Sequence, residues 1–205
     1  MKLYLRHVML SLIITSLGAC SVLPEAEQIQ IYHLPIDGSL KTISEPRLNT
    51  ALSVAEPDTL RSLNTSRISE FSNGQIQRYY AGARWADRAP TLVQQSMMQT
   101  LQSTDLFSQV VNEENDLTAD YLIHSNLRAF QIEDSEAGEK AHVILHVTLV
   151  SQLDRQVLGS TLLAEQVPVA GSSMQDATAA LGEAMDNINT ALSEWIYMLL
   201  KPKSD

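Results

Sequence analysis

Apolar and polar residues alternate from Gln28 to Leu34, the period of two expected of a half-buried strand. A loop with Pro35, Gly38 and Pro46 runs to Arg47, and Leu48 to Val54 reads as a second strand closed by Glu56-Pro57. Ser66 to Phe71 and Gln75 to Tyr80 flank Asn73-Gly74. Asn-Gly between extended segments predicts a hairpin, because both central residues of a type I′ turn need positive φ. A helix starts near Ala89-Pro90-Thr91, where Pro is tolerated because a first-turn N–H has no helical partner. Thr91 with Gln94 reads as a capping box, and Leu92, Val93, Met97, Thr100 and Leu101 keep one face apolar to about Ser103.

Leu106 to Val111 is a brief extended segment. Three longer ones follow, Tyr121 to Ile132, His142 to Gln152 and Gln156 to Val167, separated by Glu133–Lys140 and Asp154-Arg155. Short turns between them favour an antiparallel meander over crossovers. Gly171-Ser172-Ser173 reads as a loop and helix N-cap. Ala177, Leu181, Ala184, Met185, Ile188, Leu192, Trp195 and Leu199 then recur every three to four residues until Pro202 ends the helix. The pattern predicts one α+β domain over 28–201, an antiparallel β-sheet packed against two amphipathic helices, with 202–205 as a tail.

Length and charge narrow what this domain can be. The 205 residues form one domain of ordinary size, and no apolar run reaches the length needed to span a bilayer. A formal net charge of −10 disfavours a nucleic-acid partner, which needs a basic face. The single cysteine makes neither an internal disulfide nor a cysteine-rich zinc site.

The position of that cysteine is more informative. Lys2 and Arg6 precede an apolar stretch from Val8 to Leu17, the layout of a secretory signal. Leu17-Gly18-Ala19-Cys20 matches a bacterial lipobox. Small residues admit the chain to the signal peptidase, and the Cys20 thiol takes a diacylglycerol before cleavage. Residues 1–19 are then a lipoprotein signal peptide and 20–27 a lipidated tether. Ser21 stands where an Asp would favour inner-membrane retention, so outer-membrane anchoring facing the periplasm is expected. Losing Lys2 and Arg6 takes the formal charge from −10 to −12. Anionic head groups repel such a body, so the acyl chains, and no basic patch, must hold it at the membrane.

The search for a reaction returns little. His142 and His146 are four residues apart, but on a strand that spacing separates them by about 13 Å, and no H-E-x-x-H occurs. Glu133, Asp134, Glu136 and Glu139 fall in an expected hairpin loop without EF-hand spacing, and read as a solvated turn. No G-x-S-x-G, G-x-G-x-x-G or P-loop is present, so no enzyme, metal or cofactor is expected. The stretch Gln77 to Pro90 is unusual in packing two Tyr, one Trp and three Arg between hairpin and helix. Such residues are enriched at interface hot spots, which makes Arg78, Tyr79, Tyr80, Arg84 and Trp85 the partner-binding candidates. For Trp85 the structural reading is preferred, a cap on the core with Asp87 pairing with an Arg.

With these residues in order, the chain resembles the ABC-type transport auxiliary lipoprotein family, including PqiC-like lipoproteins. The resemblance rests on Cys20, Ile31-Tyr32-His33-Leu34, Ser66-Arg67-Ile68, Tyr79-Tyr80, Arg84-Trp85-Ala86-Asp87, Leu106-Phe107-Ser108-Gln109-Val110 and the last helix with Trp195. It implies a small domain hung from the outer membrane as the docking component of an MCE-type lipid transport system. The implied partners are an MCE-domain protein, inner-membrane transporter components and a second copy in a homo-oligomer. It carries over no catalytic residues. A periplasmic carrier that binds lipid between sheet and helices and an envelope hydrolase are the alternatives.

Overall fold

The computed structural model describes residues 28–35, 45–72, 74–115, 118–136 and 138–202. The signal, lipobox, tether, Asn73 and most of the loop after Pro35 lie outside them. Nine strands and two α-helices are present among the described residues. They are β1 (Gln30–Tyr32), β2 (Leu48–Val54), β3 (Asp58–Thr59), β4 (Arg67–Ser72), β5 (Ile76–Trp85), β6 (Phe107–Asn112), β7 (Tyr121–Ser135), β8 (Gly138–Ser151) and β9 (Val157–Pro168). Helix α1 (Ala89–Ser103) connects β5 to β6, and α2 (Met174–Leu200) follows β9. This is the single α+β domain with one sheet and two helices that the periodicity predicts.

The long strand β7 organises the sheet. One side of it pairs with β8 antiparallel from Tyr121↔Ser151 to Ser135↔Gly138, and β8 pairs antiparallel with β9. Along the other side three strands take turns, all parallel: β2 at Leu52↔Tyr121, β3 at Asp58↔Asn126 and β4 at Ser69↔Gln131. Outside these lie β6, parallel to β2, and β5, antiparallel to β4, with β1 parallel to β5 at the margin. The antiparallel expectation therefore holds for the meander and the first hairpin, and the remaining ladders make the sheet mixed. The crossovers that parallel pairing demands are α1 and the irregular segments between strands.

The helices cover one face of this sheet. Leu92, Val93, Met97 and Leu101 of α1 and Leu181, Met185, Ile188, Leu192 and Ile196 of α2 are buried in a single cluster with Leu52, Ile123, Phe130 and Leu145 of the sheet. The two helices are also tied by a buried polar contact, Asn189 Nδ2 donating to Ser96 Oγ at 2.7 Å. Ser173 caps α2 in a reciprocal box with Asp176, as the loop-and-cap reading expects. At α1 the expected box is absent. Arg88 occupies the N-cap without a side-chain cap bond, Thr91 Oγ1 donates to Glu56, and Gln94 Nε2 donates to the Val54 carbonyl. Gln94 is turned inward to satisfy a strand carbonyl, so it cannot reach back to the cap.

Leu34 is buried in the core, and Pro35 lies against α2 at Gly182. A Cβ on Gly182 would stand 2.5 Å from the Pro35 carbonyl oxygen and 2.9 Å from its Cγ. Gly182→Ala adds about 1 kcal/mol of helix propensity but forces a backbone carbonyl to move, which costs about 1–3 kcal/mol. A lower urea midpoint is expected, and a raised midpoint would show that residues 33–35 yield freely.

Two sequence expectations change at the meander. The strands continue into the supposed Glu133–Lys140 loop, so Glu133, Asp134 and Glu139 are strand residues facing cross-strand neighbours. The tight connection at Gly138, with φ +100, allows this extension. The aromatic and arginine-rich stretch up to Trp85 belongs to β5 itself, where Gly82 at φ +67 lies within a register shift against β4.

Candidate functional site

Strand alternation, interrupted by the irregularity around Gly82, decides where each candidate side chain goes. Glu70↔Arg78 and Ser69↔Tyr79 are adjacent pairs, so Arg78 and Tyr80 share the helix-covered face while Tyr79 takes the opposite, outer face. Beyond Gly82, Arg84 pairs with Arg67 on the outer face and Trp85 turns inward. The five candidates thus do not form one patch. Tyr79 and Arg84 share the outer face, Arg78 and Tyr80 lie at the rim of the inner one, and Trp85 is in the core.

Trp85 is 2% exposed and meets Phe130 with ring centroids 5.5 Å apart, which supports the core-cap reading of this side chain. Its backbone N–H donates to the Ser66 carbonyl at 2.7 Å, locking the end of β5 to the start of β4. Asp87 does not pair with an arginine side chain among the described residues; its Oδ1 accepts from the backbone N–H of Arg88. Arg88 instead reaches Glu56 at 2.8 Å and Asn64 at 2.7 Å, tying the helix start to the β3–β4 region.

Tyr80 is half-buried against the core and its hydroxyl has no hydrogen-bond partner among the described residues. Burial first, then the carboxylates of Glu139, Glu70 and Asp134, pushes this phenol well above its ordinary range. Glu139 is raised as well, by burial and then by Asp134 and Glu70. An acidic end of the inner rim therefore surrounds Tyr80, with exposed Arg78 beside Glu70. Tyr79 is held differently: its hydroxyl donates to the Ser62 carbonyl at 2.9 Å, and the Arg67 guanidinium lies 3.7 Å above its ring.

Two of the histidines find local partners. His142, mostly buried on the outer face, lies 2.5 Å from Glu133, and His124 lies 3.4 Å from Asp58. Among the described residues no group of three or more His, Cys, Asp and Glu could hold a metal ion. The apolar helix faces that motivate a lipid carrier are filled by core packing against the sheet. A depression of about 610 Å³ lies elsewhere, lined in part by Asn49, Thr50, Asp120, Tyr121 and Ser151. Asp120 is spoken for there, since its Oδ2 accepts from the Ala51 N–H at 2.8 Å. No helix among the described residues is long and apolar enough to cross a membrane. Arg67 is the functional candidate that sequence patterning misses. Its partner Arg84 lies 17 positions away, and only strand register brings the two together.

The family model for the ABC-type transport auxiliary lipoprotein component matches residues 32–193. No curated protein matches the chain significantly. Among solved structures, protein XCC0632 from Xanthomonas campestris is similar at TM-score 0.76 and 20% identity, covering 83% of this chain and 96% of that one. A second structure, of an uncharacterized protein, reaches TM-score 0.67 at 12% identity over 83% of this chain and 99% of that one. A Chlamydia trachomatis protein, CT253, reaches 0.53 at 6% identity, covering 73% and 96%. At these identities the structures establish a shared fold.

Proposed function

The chain belongs to the ABC-type transport auxiliary lipoprotein family, and from that premise we propose that it is the outer-membrane docking component of an MCE-type intermembrane lipid transport system. The observation that carries this reading is the family match, which runs from the end of β1 at residue 32 into α2 at residue 193. The lipobox at Cys20 supplies the anchor and Ser21 favours the outer membrane. The domain serves by position and contact, and no catalytic role is assigned to its side chains. Its partners are an MCE-domain protein with inner-membrane transporter components, and self-association into an oligomer suits a docking piece.

Arg78 and Tyr80 at the inner rim are the residues assigned to the protein partner. Detergent-solubilised chain should co-purify with an MCE-domain protein encoded beside it. Arg78→Ala is expected to weaken that association by about 1–2 kcal/mol, the range of an interface arginine, while the urea midpoint of this exposed position moves by no more than about 0.5 kcal/mol. Because Tyr80 packs on the core, Tyr80→Phe is the variant that spares the fold. Undiminished co-purification of both variants would clear this rim of the role, and no co-purification by the parent would reject the docking function.

A further inference from the structure

Across the outer face, Ile31 of β1, Arg84 of β5 and Arg67 of β4 stand side by side in one row. Directly opposed like charges destabilise a strand pair, and neither arginine makes an ion pair with an acidic side chain among the described residues. Both are exposed, and Arg67 is braced on the Tyr79 ring. In a body of formal charge −12 this pair is a local inversion of sign. Beside it Ile29 and Ile31 are 51% and 57% exposed, an apolar margin next to two guanidiniums.

The occupant follows from chain length and charge. Cys20 and Gln30 are ten positions apart, and no conformation lets that stretch span more than about 36 Å. β1 is the first strand after Cys20 in the chain; Ile31 lies in it and Ile29 just before it. Guanidinium forks match phosphate oxygens in pairs, and a neighbouring apolar margin suits the boundary between head groups and acyl chains. We propose that the outer face of β1, β5 and β4 rests on the membrane, with Arg67 and Arg84 on the phosphates of anionic phospholipids and Ile29 and Ile31 in the interface. The acyl chains supply the hold, and this face sets the orientation. The proposal rests on acylation of Cys20.

The test uses the full lipidated chain, whose one native cysteine is blocked by its lipid. Ile31→Cys and, as a control, Leu153→Cys (Leu153 being 96% exposed in the β8–β9 turn) are exposed to a membrane-impermeant maleimide. Labelling is compared in detergent and in vesicles of phosphatidylethanolamine with phosphatidylglycerol. Ile31→Cys should react more slowly in vesicles and Leu153→Cys equally in both. Adding Arg67→Glu or Arg84→Glu should restore about fivefold in rate each, the effect of one basic side chain at an anionic surface. Protein that floats with the vesicles while Ile31→Cys stays fully reactive overturns the contact alone. Protection that appears only when soluble envelope proteins are added overturns it too, and assigns the face to a protein. A chain that does not float overturns acylation and the contact with it.

Discussion

Cys20→Ala is expected to release the protein from the membrane fraction. Three features of the sequence make the effect large. Each buried methylene of an acyl chain contributes roughly 0.8 kcal/mol, so losing the chains should lower membrane partitioning by well over a hundredfold. Because acylation precedes cleavage, the alanine variant keeps Lys2 and Arg6 and a formal charge of −10, which anionic head groups repel. No described helix can replace the anchor by crossing the bilayer. Fractionation of cells followed by blotting, with intact-mass measurement of the parent, checks this. Sedimentation of the alanine variant with membranes to the parent's extent would show that something other than Cys20 holds the chain.

Trp85→Ala carries the largest expected loss of stability. The indole is 2% exposed, stacks obliquely on Phe130 and sits where β5 ends and α1 is about to begin. Truncating a buried Trp to Ala costs about 3–5 kcal/mol through lost transfer energy and the cavity left behind. A domain of this kind has about 5–15 kcal/mol in total, so the urea midpoint should fall steeply. Trp85→Phe, which keeps a ring against Phe130, should lose clearly less and covers the case in which the alanine variant does not fold. Its neighbour in sequence, Arg84→Glu, changes an exposed side chain and should move the midpoint by no more than about 0.5 kcal/mol. A Trp85→Ala midpoint equal to the parent's would place the indole outside the core.

That contrast between adjacent residues shows which parts of the fold patterning reveals. The meander was legible because a period of two sets Val143, Leu145, Val147 and Leu149 on one face of the segment, and all four are fully buried. The two helices were legible from their apolar stripes, with Ser173 and Pro202 marking the second. The parallel ladders were not, since alternation says that a segment is a strand and nothing about its partner. β2 and β4 meet β7 only after a long stretch of intervening chain. Two-residue β3 has no pattern to detect. The placement of the candidate residues was legible only in part, for a related reason. Arg78 to Trp85 is contiguous in sequence, but strand alternation and the irregularity at Gly82 send its members to different faces. The pairing of Arg67 with Arg84 needed a register that no local motif encodes.

The three strands that share one side of β7 have a consequence for how the protein reaches its working state. Contacts that join distant parts of a chain form slowly, because loop closure comes before any gain. In a chain exported amino end first, β1 to β6 all emerge before β7, the strand on which β2, β3 and β4 depend. The hairpins of β7, β8 and β9 can close locally once they appear, and the front half then has a template to pair with. Until that moment β4 can pair only with β5, β5 with β1 and β2 with β6, and the edges of β2, β3 and β4 that meet β7 stay open. The interval between the export of Cys20 and that of Ser135 is therefore when this protein most needs a holding chaperone.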